Sequence, residues 1–166
     1  MGAIDFSAAG PQPLDSVNLR VLKHLLADPR VTMSELGRRI GMSAPAVTER
    51  VQRLLEAGVI AGFATELNPK ALGRPIAAYI RIRPVARQLA KVAEVARRSP
   101  EVVECHRITG EDCFLVKVYV GAVEDLEELI DRFLPYGQTT TSIVQSSPVP
   151  RRAPPLPELT PEGARG

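Results

Sequence analysis

Pro45, Ala46, Thr48, Glu49 and Gln52 stand where the side chains of a short amphipathic helix point away from its apolar stripe of Val47, Val51, Leu54 and Leu55. The chemistry open to them is hydrogen bonding to an external partner, with Arg53 and Arg39 beside them as cations suited to phosphate. Spacing supports this reading. Thr32 and Glu35 lie at capping-box distance before Met33 to Ile40, Gly41 breaks that segment, and Ser43 can cap a second helix running to Gly58. Pro45 falls in the first turn, where a missing N–H costs nothing. Two short helices joined by a glycine turn predict a helix-turn-helix whose second helix docks N-terminus first in the major groove of double-stranded DNA. The same pattern would also serve a module that makes only protein contacts. Arg50, at the edge of the stripe, suits either an intramolecular ion pair or a phosphate.

Those residues need a scaffold, and the chain supplies one in five parts. Residues 1–13, with Gly10, Pro11 and Pro13, are expected to form a flexible arm. A helix then opens at Asp15, buries Val17, Val21, Leu22, Leu25 and Leu26, and ends at Asp28-Pro29. With Leu36 and Ile40 of the next helix it completes a three-helix domain over 14–68, in which the alternation from Gly58 to Leu67 predicts a strand or small wing. Asn68-Pro69 and Gly73-Arg74-Pro75 place a hinge at 69–75. Beyond it, period-two and helical patterns alternate as βαββαβ over 76–146, the ferredoxin-like order with two helices on one face of a four-stranded sheet. The fold class is therefore α+β. The open face carries Tyr79, Arg81 and Arg83, and an uncovered sheet of this size is expected to be buried in a dimer. Residues 147–166 hold six prolines and are expected to be a disordered extended tail, with a proline-rich docking ligand at Ala153 to Pro157 as the alternative.

At 166 residues, 45% hydrophobic and 24% charged, the composition is that of a soluble globular protein, and no apolar run of about 18 residues or export signal is present. The cytoplasm is the expected location. A net charge of +2 does not by itself argue for nucleic acid. The three-helix region carries seven Lys/Arg against six Asp/Glu, so one copy is expected to bind DNA weakly. From Arg74 to Ser99 the balance is +6, and from Pro100 to Tyr136 it is −6, which predicts that the two segments neutralise one another. A hairpin pairing Thr109 with Cys113 sets Cys105 against Lys117, too far from Cys113 for a disulfide, and predicts free buried thiols. Neither a Cys/His metal cluster nor a catalytic carboxylate pair or base-activated nucleophile is legible, so no cofactor, metal or enzyme activity is expected.

Taken in order and spacing, several short segments carry a family resemblance across Leu14 to Val144. They are Leu14-Asp15, then Ser43 with Val47, Arg50 and Leu54, Gly58-Val59-Ile60, Leu72-Gly73, Val102-Val103-Glu104, and Thr109-Gly110 before Phe114-Leu115-Val116-Lys117. The chain resembles the Lrp/AsnC, or feast/famine, transcription regulators. That resemblance implies an N-terminal DNA-binding domain and a C-terminal domain that forms dimers and often octamers and senses an amino acid or related small molecule. Its sensing loop matches Gly110, with Glu111 and Asp112 following. Thr139, Thr140, Thr141 and Ser142, with Thr109 opposite, carry enough donors and acceptors to hold the polar ends of an amino acid, although threonines also simply suit a strand. His106 shares a face with Glu104; in such a pocket it would make binding pH-sensitive, and the alternative is an ordinary polar position. Asn18 and Cys113 stand where members usually carry Asp, so the effector's identity does not transfer. Some sirohaem decarboxylases resemble the same architecture and give the enzymatic alternative.

Overall fold

The computed structural model describes residues 14–158; the arm expected at 1–13 and the last eight residues of the tail lie outside them. The chain divides into two compact units, one reaching Thr65 and joined by residues from Arg151 onward, the other Glu66–Pro150. The segment expected as a hinge groups with the second unit, where Arg74 donates from Nη1 to the Tyr119 carbonyl at 3.4 Å.

In the first unit α1 (Ser16–Ala27), α2 (Met33–Ile40) and α3 (Ala44–Glu56) each begin on the expected cap. Asp15, Thr32 and Ser43 accept from the N–H groups of Asn18, Glu35 and Ala46, satisfying donors that the first turn leaves orphaned. Gly41 closes α2 in the left-handed region at φ 75°, which a residue with a Cβ adopts only under strain. Val21, Leu36 and Val47, one from each helix, are fully buried at the centre. Each contributes roughly 1.5–3 kcal/mol by leaving water. One expectation fails here and another is narrowed. Leu26 is 52% exposed whereas Leu19 is buried, and of the strand or small wing expected after Gly58, residues 61–68 form no strand, leaving Phe63 and Leu67 exposed. Among the described residues the segment after Gly58 is not paired with another strand of the chain, and alternation alone does not make a ladder.

The second unit runs β1 (Ile76–Pro84), α4 (Leu89–Arg98), β2 (Val102–Arg107), β3 (Phe114–Val120), α5 (Val123–Phe133), a single 3₁₀ turn at Leu134–Tyr136 and β4 (Gly137–Ile143). The sheet order is β2-β3-β1-β4, every pair antiparallel, as the ferredoxin-like expectation requires. Ile80, Ile82, Phe114, Val116 and Val118 face α4 and α5, where Val92, Leu126, Leu129 and Phe133 complete the core. The hairpin register differs from the expected one by a residue: Cys105 pairs with Val116 and Glu104 with Lys117, a register already set beside the turn by Arg107 with Phe114, and a bulge between Val102 and Glu104 shifts the far end by one more residue. Both thiols are free, but Cys105 is exposed and Cys113 half-buried, not buried as expected. Residues 147–158 have no helix or strand, yet Leu156 packs against the three-helix core, so this part of the tail is not wholly solvated.

Among the described residues no helix is long and apolar enough to cross a membrane.

Candidate functional site

The geometry of α3 follows from its stripe. With Val47, Val51 and Leu54 buried, Pro45, Thr48, Glu49, Gln52, Arg53 and Glu56 are exposed, while Ala46 is only half-buried and presents little surface. Ser43 is committed to its cap at 3.4 Å. Thr48 donates from Oγ1 to the Ala44 carbonyl at 2.9 Å, Gln52 donates to Glu56 at 2.9 Å, and Arg53 pairs with Glu49 one turn back. The outward row is thus polar, ordered and internally paired.

Arg39, on α2, donates to Glu35 at 2.8 Å, and Arg38 grips the same carboxylate with two further hydrogen bonds at 2.7 and 2.8 Å. Those hydrogen bonds, from Arg38 first and Arg39 second, hold the Glu35 carboxyl down to about 2. Glu35 therefore does not complete a reciprocal capping box; its side chain faces the arginines instead of its own helix start. Arg50 reaches across to α1, donating to Asp15 at 2.7 Å and to Asn18 Oδ1 at 3.0 Å. Of its two sequence-level readings the ion pair is the one formed, and Asn18, at the position usually Asp in the resembling family, is its second acceptor. The Asn18 amide, with Arg50 adding to it, keeps Asp15 below the usual carboxylate range.

One residue of this unit escaped the sequence reading. Gly37 is buried inside α2, where a Cβ would lie 2.5 Å from the Met42 carbonyl oxygen, so its lack of a side chain lets the turn into α3 fold tightly back. The available signal was a glycine within a helix, which costs about 1 kcal/mol against alanine and needs a packing reason.

In the second unit, Gly110 occupies the β2–β3 turn at φ 107°, a conformation open essentially to glycine. Glu111 pairs with Arg83, and Asp112 lies 3.7 and 3.8 Å from Arg81 and Arg83. The basic and acidic segments do neutralise one another in part, through these contacts on the open side of β1. Thr109 is exposed beside Gly110. The strand pleat divides the Thr139–Ser142 run: Thr140 and Ser142 pair with Arg81 and Tyr79 on the open face, while Thr139 and Thr141 pair with Ile82 and Ile80 on the helix side. The four residues thus divide between the two faces of the sheet.

His106 lies on the open face opposite Leu115, 3.4 Å from Glu104 as the alternation implied. Glu104 also accepts from Lys117 at 3.1 Å, and that hydrogen bond, the largest influence, holds its carboxyl below the usual range. The open face thus carries a His106–Glu104–Lys117 row beside Tyr79 and Ser142.

Comparison with known proteins accords with both units. Residues 14–61 match the family model for winged helix-turn-helix DNA binding, and residues 77–154 match that of the Lrp/AsnC ligand binding domain. The chain is 37% identical over 134 residues to the HTH-type transcriptional regulator YezC of Bacillus subtilis, covering 81% of this chain and 95% of that one. It is 32% identical to the solved structure of B. subtilis LrpC with a TM-score of 0.76, covering 81% and 96% of the two chains. The feast or famine regulatory protein of M. tuberculosis, solved in complex with L-methionine, superposes with a TM-score of 0.74 at 30% identity, over 84% and 97%. The capped helix-turn-helix, the antiparallel sheet with two covering helices and these relatives together establish that the chain belongs to the Lrp/AsnC family of transcription regulators.

Proposed function

We propose that this protein is a sequence-specific transcription regulator whose grip on double-stranded DNA is modulated by an amino acid or a related small molecule. The observation that carries the reading is the outward row of α3, which is polar and exposed over its first turns while its opposite side is locked into the three-helix core. Pro45, Thr48, Glu49 and Gln52 read base edges, and Arg53 and Arg39 meet phosphates after exchanging their present carboxylate partners. Ser43 and Ala46 shape the start of that helix. The protein acts as a homodimer or a larger even assembly, burying the open sheet face, and presents two recognition helices to half-sites separated by about one helical turn or a multiple. As a DNA regulator it works in the cytoplasm and catalyses no reaction.

The L-methionine complex of the M. tuberculosis relative supports an amino-acid effector. In this chain the ligand's charged ends meet the Thr109–Asp112 loop, the open-face residues Thr140 and Ser142, and His106. An effector shifts assembly or DNA binding only by its different affinity for the two states.

The test is recovery of genomic DNA fragments on the purified full chain, followed by footprinting and titration with the twenty amino acids. Two-fold sites protected in a salt-dependent manner are expected, with Gln52→Ala lowering affinity for the recovered site by about 1–3 kcal/mol. Arg53→Ala is expected to weaken all sequences alike and reduce the salt slope by about one. Retention with no preferred sites would refute the reading.

A further inference from the structure

Leu19 and Leu26 lie seven residues apart on α1, a spacing that leaves them within about 20° of one another around the helix. They should share an environment, yet Leu19 is 5% exposed and Leu26 52%. The three-helix core does not account for the difference, because Leu19 stands outside the connected buried cluster formed by Val21, Leu22 and Leu25 with α2 and α3. What lies beside Leu19 is the C-terminal segment. Ser16, Leu19, Arg20 and Lys23 line a groove of about 650 Å³ together with Leu156, Pro157 and Glu158. Of residues 151–158, Leu156 alone is half-buried, and it packs against the partly apolar flank of the three-helix core.

We propose that Leu156 anchors the C-terminal segment on α1 as an intramolecular clasp, giving the chain a second tether to its helix-turn-helix unit. The first connection runs through 61–75 and the second through 144–155, which leaves β4 after Ile143. Pro148, Pro150, Pro154, Pro155 and Pro157 restrict this segment before it docks, so seating one leucine freezes fewer torsions than a flexible tail would require. The anchor lies beyond the last residue matched by the ligand-domain model. It also sits on α1, leaving the outward row of α3 exposed. A helix-turn-helix held at two points reorients less freely than one held at one, and release of Leu156 restores that freedom.

Hydrogen exchange on the full chain tests the clasp without DNA or effector, so its outcome is separate from the regulatory reading. In Leu156→Asp, and in a variant ending at Pro150, amides around Leu19 on α1 are expected to exchange on the order of fivefold faster while β1 and β3 are unchanged. Unaltered α1 exchange in both variants would overturn the proposal. A second measurement fixes the connectivity. With Cys105 and Cys113 replaced by Ser, Lys23→Cys and Pro157→Cys, which line the same groove, are expected to be joined within one chain by a bifunctional maleimide of about 10 Å reach, the product migrating at monomer mass under denaturing conditions. A cross-link joining two chains, or none, would overturn it.

Discussion

Replacing Gly37 by alanine sets two effects of opposite sign against each other. Alanine is the better helix former by about 1 kcal/mol, so on propensity alone Gly37→Ala would stabilise α2. Its Cβ, however, would lie 2.5 Å from the Met42 carbonyl oxygen and 3.4 Å from the Ser43 carbonyl carbon, both backbone atoms of the turn into α3. Neither can swing aside as a side chain would. The turn is further pinned because the Met42 N–H donates to the Gly37 carbonyl at 2.9 Å. Overpacking of this kind costs about 1–3 kcal/mol, and a backbone obstacle places it in the upper half of that range. The net expectation is a loss of about 1–2 kcal/mol, or roughly 5–15 °C in the melting temperature of a domain this small. Thermal unfolding followed by circular dichroism at 222 nm is the assay, with affinity for a recovered DNA site measured well below the transition. Because relief of the clash moves the start of α3 relative to α2, binding should weaken even where the protein is folded. A melting temperature that rises, with DNA affinity unchanged, would refute the steric account.

Other outcomes follow from the same structure. Glu35 is held down to about 2 in the folded chain, against an ordinary value of about 4.3, so its stabilising contribution is present above that ordinary value and lost as pH falls toward 2. Acid titration of Glu35→Gln should accordingly show a shallower loss of stability between about pH 5 and 2 than the parent. Asp15→Ala removes the α1 cap and one acceptor of Arg50, and an unfolding free energy, read from urea titration, lowered by about 1–2 kcal/mol is expected, most of it from the cap because the ion pair is partly exposed. Leu26→Ser should change stability by no more than about 0.5 kcal/mol, since that leucine is 52% exposed; a large loss would mean that Leu26 is covered in solution.

What the sequence made legible tracks how local the determining physics is. Caps at Asp15, Thr32 and Ser43, the glycine after α2 and the period-two pattern of β1 and β3 each act within a few residues, and each was readable. Errors arose where a distant segment decides the outcome. Leu156, more than 120 positions from α1 in the chain, packs against the three-helix core, and Leu19 lines a groove with it. Whether 61–68 forms a strand depends on a partner edge, and the hairpin register depends on how the 108–113 turn closes, with the Ile108 N–H donating to the Cys113 carbonyl. The Thr139–Ser142 run is a different case. Its composition suggests a binding surface, but the strand pleat sends alternate residues to opposite faces, so half of the run faces the helices.

The pairing along α3 bears on how DNA binding can be both specific and adjustable. In the free chain Thr48, Gln52 and Arg53 each already hold a partner within the helix, and Arg39 holds Glu35. On the proposed reading docking exchanges hydrogen bonds rather than adding them, and each exchange yields a small net free energy, as folding hydrogen bonds do. Glu49 and Glu56 sit on the same row and oppose approach to phosphate, so non-specific attraction is also low. One recognition helix then contributes little beyond what a correct base sequence supplies. Several helices fixed in one assembly act at high effective concentration, and their joint affinity depends steeply on how many engage at once. A control that alters assembly or domain freedom can for this reason change occupancy greatly without touching a single contact on α3.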